Sequence, residues 1–162
     1  MAKASMIARE VKRAKTVEKY AKKIASFGIK RINVSIDSLN PKKFSLLTNG
    51  GDLKKVLDGV YEAKANKIDI KINTVLLKDF NANEITSMVK WCSENNFKQS
   101  FIEVMPIGKT DLVRTNQFLP ISVAQTKIRK VYGLDPILLK TNGVFQKTLL
   151  LTICFSQSNL KK

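Results

Sequence analysis

Three short stretches of this chain alternate apolar and polar residues with the two-residue period of a strand. They are RINVSID at 31–37, DIKINTVLL at 69–77 and QSFIEVM at 99–105. Each gap between them holds a helical pattern. A strand–helix–strand succession of this spacing makes the strands parallel neighbours joined by right-handed crossovers. The expected class is α/β, with a β-α-β-α-β run of parallel strands and flanking helices.

The polar members of those strands pose a problem. Asn33, Ser35 and Asp37 alternate with Ile32, Val34 and Ile36, and Asp69, Lys71 and Asn73 alternate with Ile70 and Ile72. In the third strand Glu103 and Met105 alternate with Ile102 and Val104. Parallel strands are usually covered on both faces and read as continuous apolar runs. An aliphatic face on each strand suits a helix layer. A polar face on each suits the lumen of a partial (β/α) barrel around a polar ligand. The local alternative gives each residue a plain role. Asp37 or Ser38 caps the helix opened by Pro41, Lys71 is a solvated strand lysine and Met105 is core.

Helix signals fill the gaps. Residues 10–27 place Val17, Tyr20, Ala21, Ile24 and Ala25 at three- and four-residue steps, and Gly28 stands where such a helix ends. Asn40-Pro41 opens a short helix with Phe44 and Leu47 on its apolar side. TNGG at 48–51 is a turn, and Asp52 caps a helix whose stripe is Leu53, Val56, Leu57 and Val60, ending at Asn66-Lys67. Asn81 or Asn83 starts the next, with Ile85, Met88, Val89 and Cys92 inward and Asn95-Asn96 closing it. Ser122 and Gln125 have capping-box spacing for a helix running to about Tyr132. From Thr148 to Phe155 the chain reads as a strand or as buried filler.

Composition excludes several classes. An apolar share of 44% is that of a folded globular chain. No apolar run is long enough for a membrane-spanning helix, and the start, MAKASMIAREVKRAK, lacks the apolar stretch of a secretory signal. Cytoplasm is the expected location. Cys92 and Cys154, with no histidine in the sequence, are too few for a disulfide framework or a structural zinc site. The net charge of +16 suggests a polyanion partner. Its distribution weakens that reading. Residues 32–108 carry ten basic and nine acidic side chains, whereas residues 1–31 carry ten and two and residues 109–162 nine and two. A non-enzymatic basic protein binding RNA or another polyanion through these flanks is the competing reading. The few aromatics do not interleave with Lys and Arg as a single-strand stacking platform would.

Four segments carry a resemblance: INVSIDSLNPKKFSLLT, DLKKVLDGVYEA, IKINTVLLKDFNANEI and FIEVMPIG. In order and near spacing they resemble consecutive segments of the GTP 3′,8-cyclases of molybdenum-cofactor biosynthesis, a radical S-adenosylmethionine (SAM) family. The likeness runs from about Tyr20 to about Tyr132. It implies an incomplete TIM-barrel-like fold, GTP as substrate, SAM as cofactor and two 4Fe–4S clusters held by cysteines. By position it implies that Ser35 contacts SAM, that Met105 borders the SAM adenine and that Lys71 binds GTP. A cation at Lys71 neutralises phosphate as a point charge. Asn73 and Glu103 are implied as lumen neighbours.

The departures are as informative. The family's N-terminal C-x3-C-x2-C set is absent, since no cysteine precedes Cys92, and Cys154 stands alone where a second set is implied. One thiolate does not hold a cluster that takes three or four. Lyase activity is thus not expected of this chain by itself. Residues 1–19 read as a basic flank, 20–132 as the partial barrel and 133–162 as a flank without family likeness. A truncated, shifted or rearranged reading frame would give that pattern. Either function is lost, or a separate chain supplies the missing barrel half. The unpaired edge of the Arg31–Asp37 strand invites such pairing.

Overall fold

The computed structural model describes residues 19–104, 116–132 and 150–153. Four strands form one sheet in the order β1-β2-β3-β4: β1 Arg31–Ser35, β2 Asp69–Leu76, β3 Lys98–Glu103 and β4 Leu150–Ile153. The first three are parallel, as their spacing requires, and β4 runs antiparallel to β3. The apolar run at 148–155 is thus a strand at its centre. At that edge the sheet departs from a repeating β/α succession. Among the described residues the helices are α1 over 19–26, α2 Pro41–Leu47, α3 Leu53–Ala65, α4 Ile85–Glu94 and α5 Ile121–Arg129.

Local chemistry sets most of the boundaries. Gly28, at φ +76°, turns the chain out of α1. Asn40 Oδ1 accepts from the Lys42 and Lys43 amides at 3.0 and 3.2 Å, ahead of Pro41 at the first helical position of α2. Asp52 Oδ1 accepts from the Lys55 amide at 3.3 Å to cap α3. The exits of α3 and α4 pass through Lys67 and Asn96 at φ +61° and +54°.

Two expected caps are not used. Neither Asn81 nor Asn83 caps α4, which starts after Glu84 without a side-chain cap. α5 starts after Pro120, and Ser122 makes no capping box. Instead Glu103 Oε1 accepts from the Ile121 amide at 2.6 Å, so β3 caps α5 from a distance of 18 residues. An acidic group at a helix N-terminus also suits the helix dipole.

Both crossovers bring their helices back over the same sheet face. There Ile70, Ile72 and Leu76 of β2 and Phe101 of β3 meet one continuous core. The expected α4 stripe, Ile85, Met88, Val89 and Cys92, is buried throughout. In α3 the buried residues are Leu53, Val60 and Ala63, with Val56 and Leu57 packed at the margin. Tyr20, expected on the inner side of α1, is 62% exposed, while Ala21 is buried.

A buried polar chain crosses this core. Cys92 Sγ donates to Gln99 Oε1 (2.9 Å), Gln99 Nε2 donates to Thr74 Oγ1 (3.0 Å) and Thr74 Oγ1 donates to the Ile36 carbonyl (2.7 Å). It links α4, β3, β2 and the end of β1. Mispairing any two strands would break a bond and leave a buried polar atom unsatisfied.

Asn81 makes the second such stitch. Its Nδ2 donates to the carbonyls of Asp37 and Val75, both at 2.8 Å, and its Oδ1 accepts from the Leu77 amide at 2.8 Å. The side chain is buried and ties the ends of β1 and β2 where their ladder stops. Asn81→Ala is expected to lower unfolding free energy by about 2–3 kcal/mol in urea titrations, through three lost bonds and unpaired buried groups. Exposed Asn83 is the control. Asn83→Ala is expected to stay within about 0.5 kcal/mol, and equal losses at the two sites would refute the assignment.

Candidate functional site

The helix layer covers one face of the sheet. On the other, the strands present polar rows fixed by the register. The pairing Asn33↔Lys71↔Lys98 makes one row, and Ser35↔Asn73↔Ser100 makes the next. Burial alternates accordingly: Ile70, Ile72, Thr74 and Leu76 are buried, whereas Lys71, Asn73 and Val75 are half-buried and Asn33 and Ser35 exposed. Among the described residues none hydrogen-bonds the side chains of Asn33, Ser35, Lys71 or Asn73. They are donors and acceptors available to a ligand on this face.

Ser35 and Lys71 thus lie on one face of adjacent strands, one row apart. The third strand is out of the expected phase. Leu76 pairs with Glu103 and Ile72 with Gln99, which puts Gln99, Phe101 and Glu103 on the helix face. Glu103 is not a neighbour of Lys71 and Asn73; it serves α5. Ser100 and Ile102 take the face opposite the helices in its place, Ser100 fully buried there. Met105 lies outside the described residues.

The C-terminal end of β1 borders these rows. Asp37 Oδ1 accepts from the Val75 amide at 2.7 Å, continuing the ladder with a side chain. Burial pushes its carboxyl above the ordinary value, outweighing the lowering by that bond. Asp37 therefore joins strands rather than capping a helix. Ser38 Oγ accepts from the Asn40 amide at 3.0 Å and donates to Glu84 Oε2 at 2.7 Å, and Lys43 Nζ meets Glu84 Oε1 at 2.6 Å. Burial alone would raise the Glu84 carboxyl, but the Lys43 and Ser38 bonds, the Lys43 charge and the Leu39 amide hold it below its ordinary value. This cluster fixes the loop between β1 and α2 against the start of α4.

The described residues do not fit an iron–sulfur cluster. Cys92 is fully buried on α4, its Sγ spent on Gln99, and burial pushes its thiol up to about 12. A ligand thiolate needs the opposite shift. Cys154 lies outside the described residues. For a polar organic ligand the fit is better: strands that no described helix covers on this face, with hydroxyl, amide and amine groups unbonded among the described residues, are the setting such a ligand requires.

Reading the residues alone missed four participants. Asn81 looked like a cap because it precedes a helix. Thr74 and Gln99 carry no local signal, since their partners lie 38 and 25 residues away. Lys98, in the same row as Lys71, showed itself only through the register.

Residues 6–92 match the radical SAM superfamily. A protein of Bradyrhizobium diazoefficiens named GTP 3′,8-cyclase is 39% identical over 125 residues, covering 77% of this chain and 36% of that protein. Proteins of Brucella ovis and Brucella abortus with the same name are each 40% identical over 125 residues, with the same coverage. The chain spans about a third of the length of the curated relatives it matches.

The state of Asp37 gives a pH test. A carboxyl whose folded pKa is raised opposes folding when ionised, and that penalty fades as pH falls and the group protonates in both states. Asp37→Asn keeps an oxygen for the Val75 amide. The variant is expected to be more stable than the parent at neutral pH, the difference closing as urea titrations approach about pH 4. A variant less stable at neutral pH would contradict this.

Proposed function

Because this chain belongs to the radical SAM superfamily, we propose that it forms the part of a GTP 3′,8-cyclase barrel that binds SAM and GTP on the open sheet face. One observation carries the reading: Ser35 and Lys71 share the uncovered face of a parallel sheet, on adjacent strands. Identity of about 40% to proteins named GTP 3′,8-cyclase supplies the ligand classes.

Ser35 offers a hydroxyl to SAM and Lys71 an ammonium to the GTP phosphates, with Asn73 between them in the second row. Met105 borders the SAM adenine in the same proposal. When bound, a 4Fe–4S cluster would supply the electron that cleaves SAM, but no step through it is assigned to this chain. No described residue fits it, and the outer edge of β1, unpaired among the described residues, is the place where a further segment or chain carrying its ligands would join.

The test is calorimetric binding of GTP and SAM to the purified chain and to two variants. Lys71→Gln is expected to weaken GTP about tenfold or more, through loss of a charge-assisted contact, and to leave SAM unchanged. Ser35→Ala is expected to weaken SAM about three- to tenfold and leave GTP unchanged. Binding that ignores both substitutions and the base, and falls steeply with salt, would replace this reading with non-specific polyanion binding.

A further inference from the structure

We infer that Lys71 and Lys98 together form a site for the phosphate chain of a nucleotide, with Lys98 a second cation that the family likeness does not assign. The inference rests on the nucleotide reading above and adds a residue to that site. Lys71 and Lys98 are register partners on neighbouring parallel strands and stand, each half-buried, on the face opposite the helices. Strands lie about 5 Å apart, so the two stems rise side by side. Like charges directly opposite across strands are destabilising unless something between them carries negative charge.

The described residues do not supply enough of it. Arg31 and Asp69 pair in the row beneath. The carboxylate of Asp69 approaches Lys98 Nζ only to 3.8 Å, with the two side chains 62% and 44% exposed, so the contact is loose and screened. No described residue hydrogen-bonds Lys71. Among the described residues of these two rows, three cations (Arg31, Lys71 and Lys98) thus share one carboxylate, Asp69.

The next row toward the strand C-termini holds no charge. Ser35, Asn73 and Ser100 lie two residues along, about 7 Å further up the strands. The face is therefore layered, cationic below and neutral-polar above. A nucleotide lying along the strands matches both layers, its phosphates between Lys71 and Lys98 and its nucleoside over Ser35 and Asn73. A multiply charged phosphate chain bridges two ammonium groups that a single carboxylate does not satisfy.

Calorimetry with GTP, inorganic triphosphate and guanosine on the full chain tests this. Lys98→Gln and Lys71→Gln are each expected to weaken GTP and triphosphate about tenfold, with guanosine unaffected. The double variant is expected to lose less than the product of the single losses, since both amines serve one anion. Lys90→Gln, an exposed charge on α4, is the charge-matched control and is expected to bind as the parent does. Lys98→Gln binding like the parent while Lys71→Gln is weak would overturn the paired site and leave the nucleotide reading standing. Neither variant weakening GTP would overturn both. Equal losses at Lys90 and Lys98, or a parent that ignores triphosphate, would also overturn the paired site.

Discussion

Two crossovers in succession between parallel strands are the constraint from which the rest of this molecule follows. Each returns its helices over the same side of the sheet, so one face is packed and the other is left to something else. The packed face is aliphatic and receives α3, α4 and α5. The other carries serine, asparagine and lysine, and no described helix packs on it. Parallel strands covered on one side only are unusual on their own, and that asymmetry among the described residues is what the proposed binding site rests on.

The packed side must fix the register, because a one-residue slip would exchange the faces. The chain does this with polar groups as well as oil. The Cys92–Gln99–Thr74–Ile36 chain and the three bonds of Asn81 hold the strands at one setting. The side chains of the polar face, Ser35, Lys71 and Asn73 among them, are thus positioned by residues buried on the opposite side or at the strand ends.

Much of this was legible in the residues. The alternation in RINVSID and DIKINTVLL assigned both faces of β1 and β2 correctly, since Ile32, Val34 and Ile36 in one and Ile70 and Ile72 in the other fall at every second position. The α4 stripe was read residue for residue. β3 was not legible in the same way. Gln99 and Ser100 are adjacent, polar and fully buried, so no period-two pattern survives, and Glu103 posed as a member of the polar row. Its true partner is an amide 18 residues on, and such long-range satisfaction leaves no local trace. Asn81 misled for the same reason. The family likeness pointed to Ser35 and Lys71, which the register sets on one face of adjacent strands, but gave no hint that Lys98 shares the Lys71 row.

The central claim is the sidedness of the sheet, and cysteine scanning along β2 tests it most directly. In a Cys154→Ser background the native Cys92 is buried, with its thiol pushed up to about 12, and stays silent toward maleimide. Lys71→Cys and Asn73→Cys should label in the native state, while Ile70→Cys and Ile72→Cys should label only in denaturant. Native labelling at 70 and 72 that equals or exceeds labelling at 71 and 73 would contradict the account.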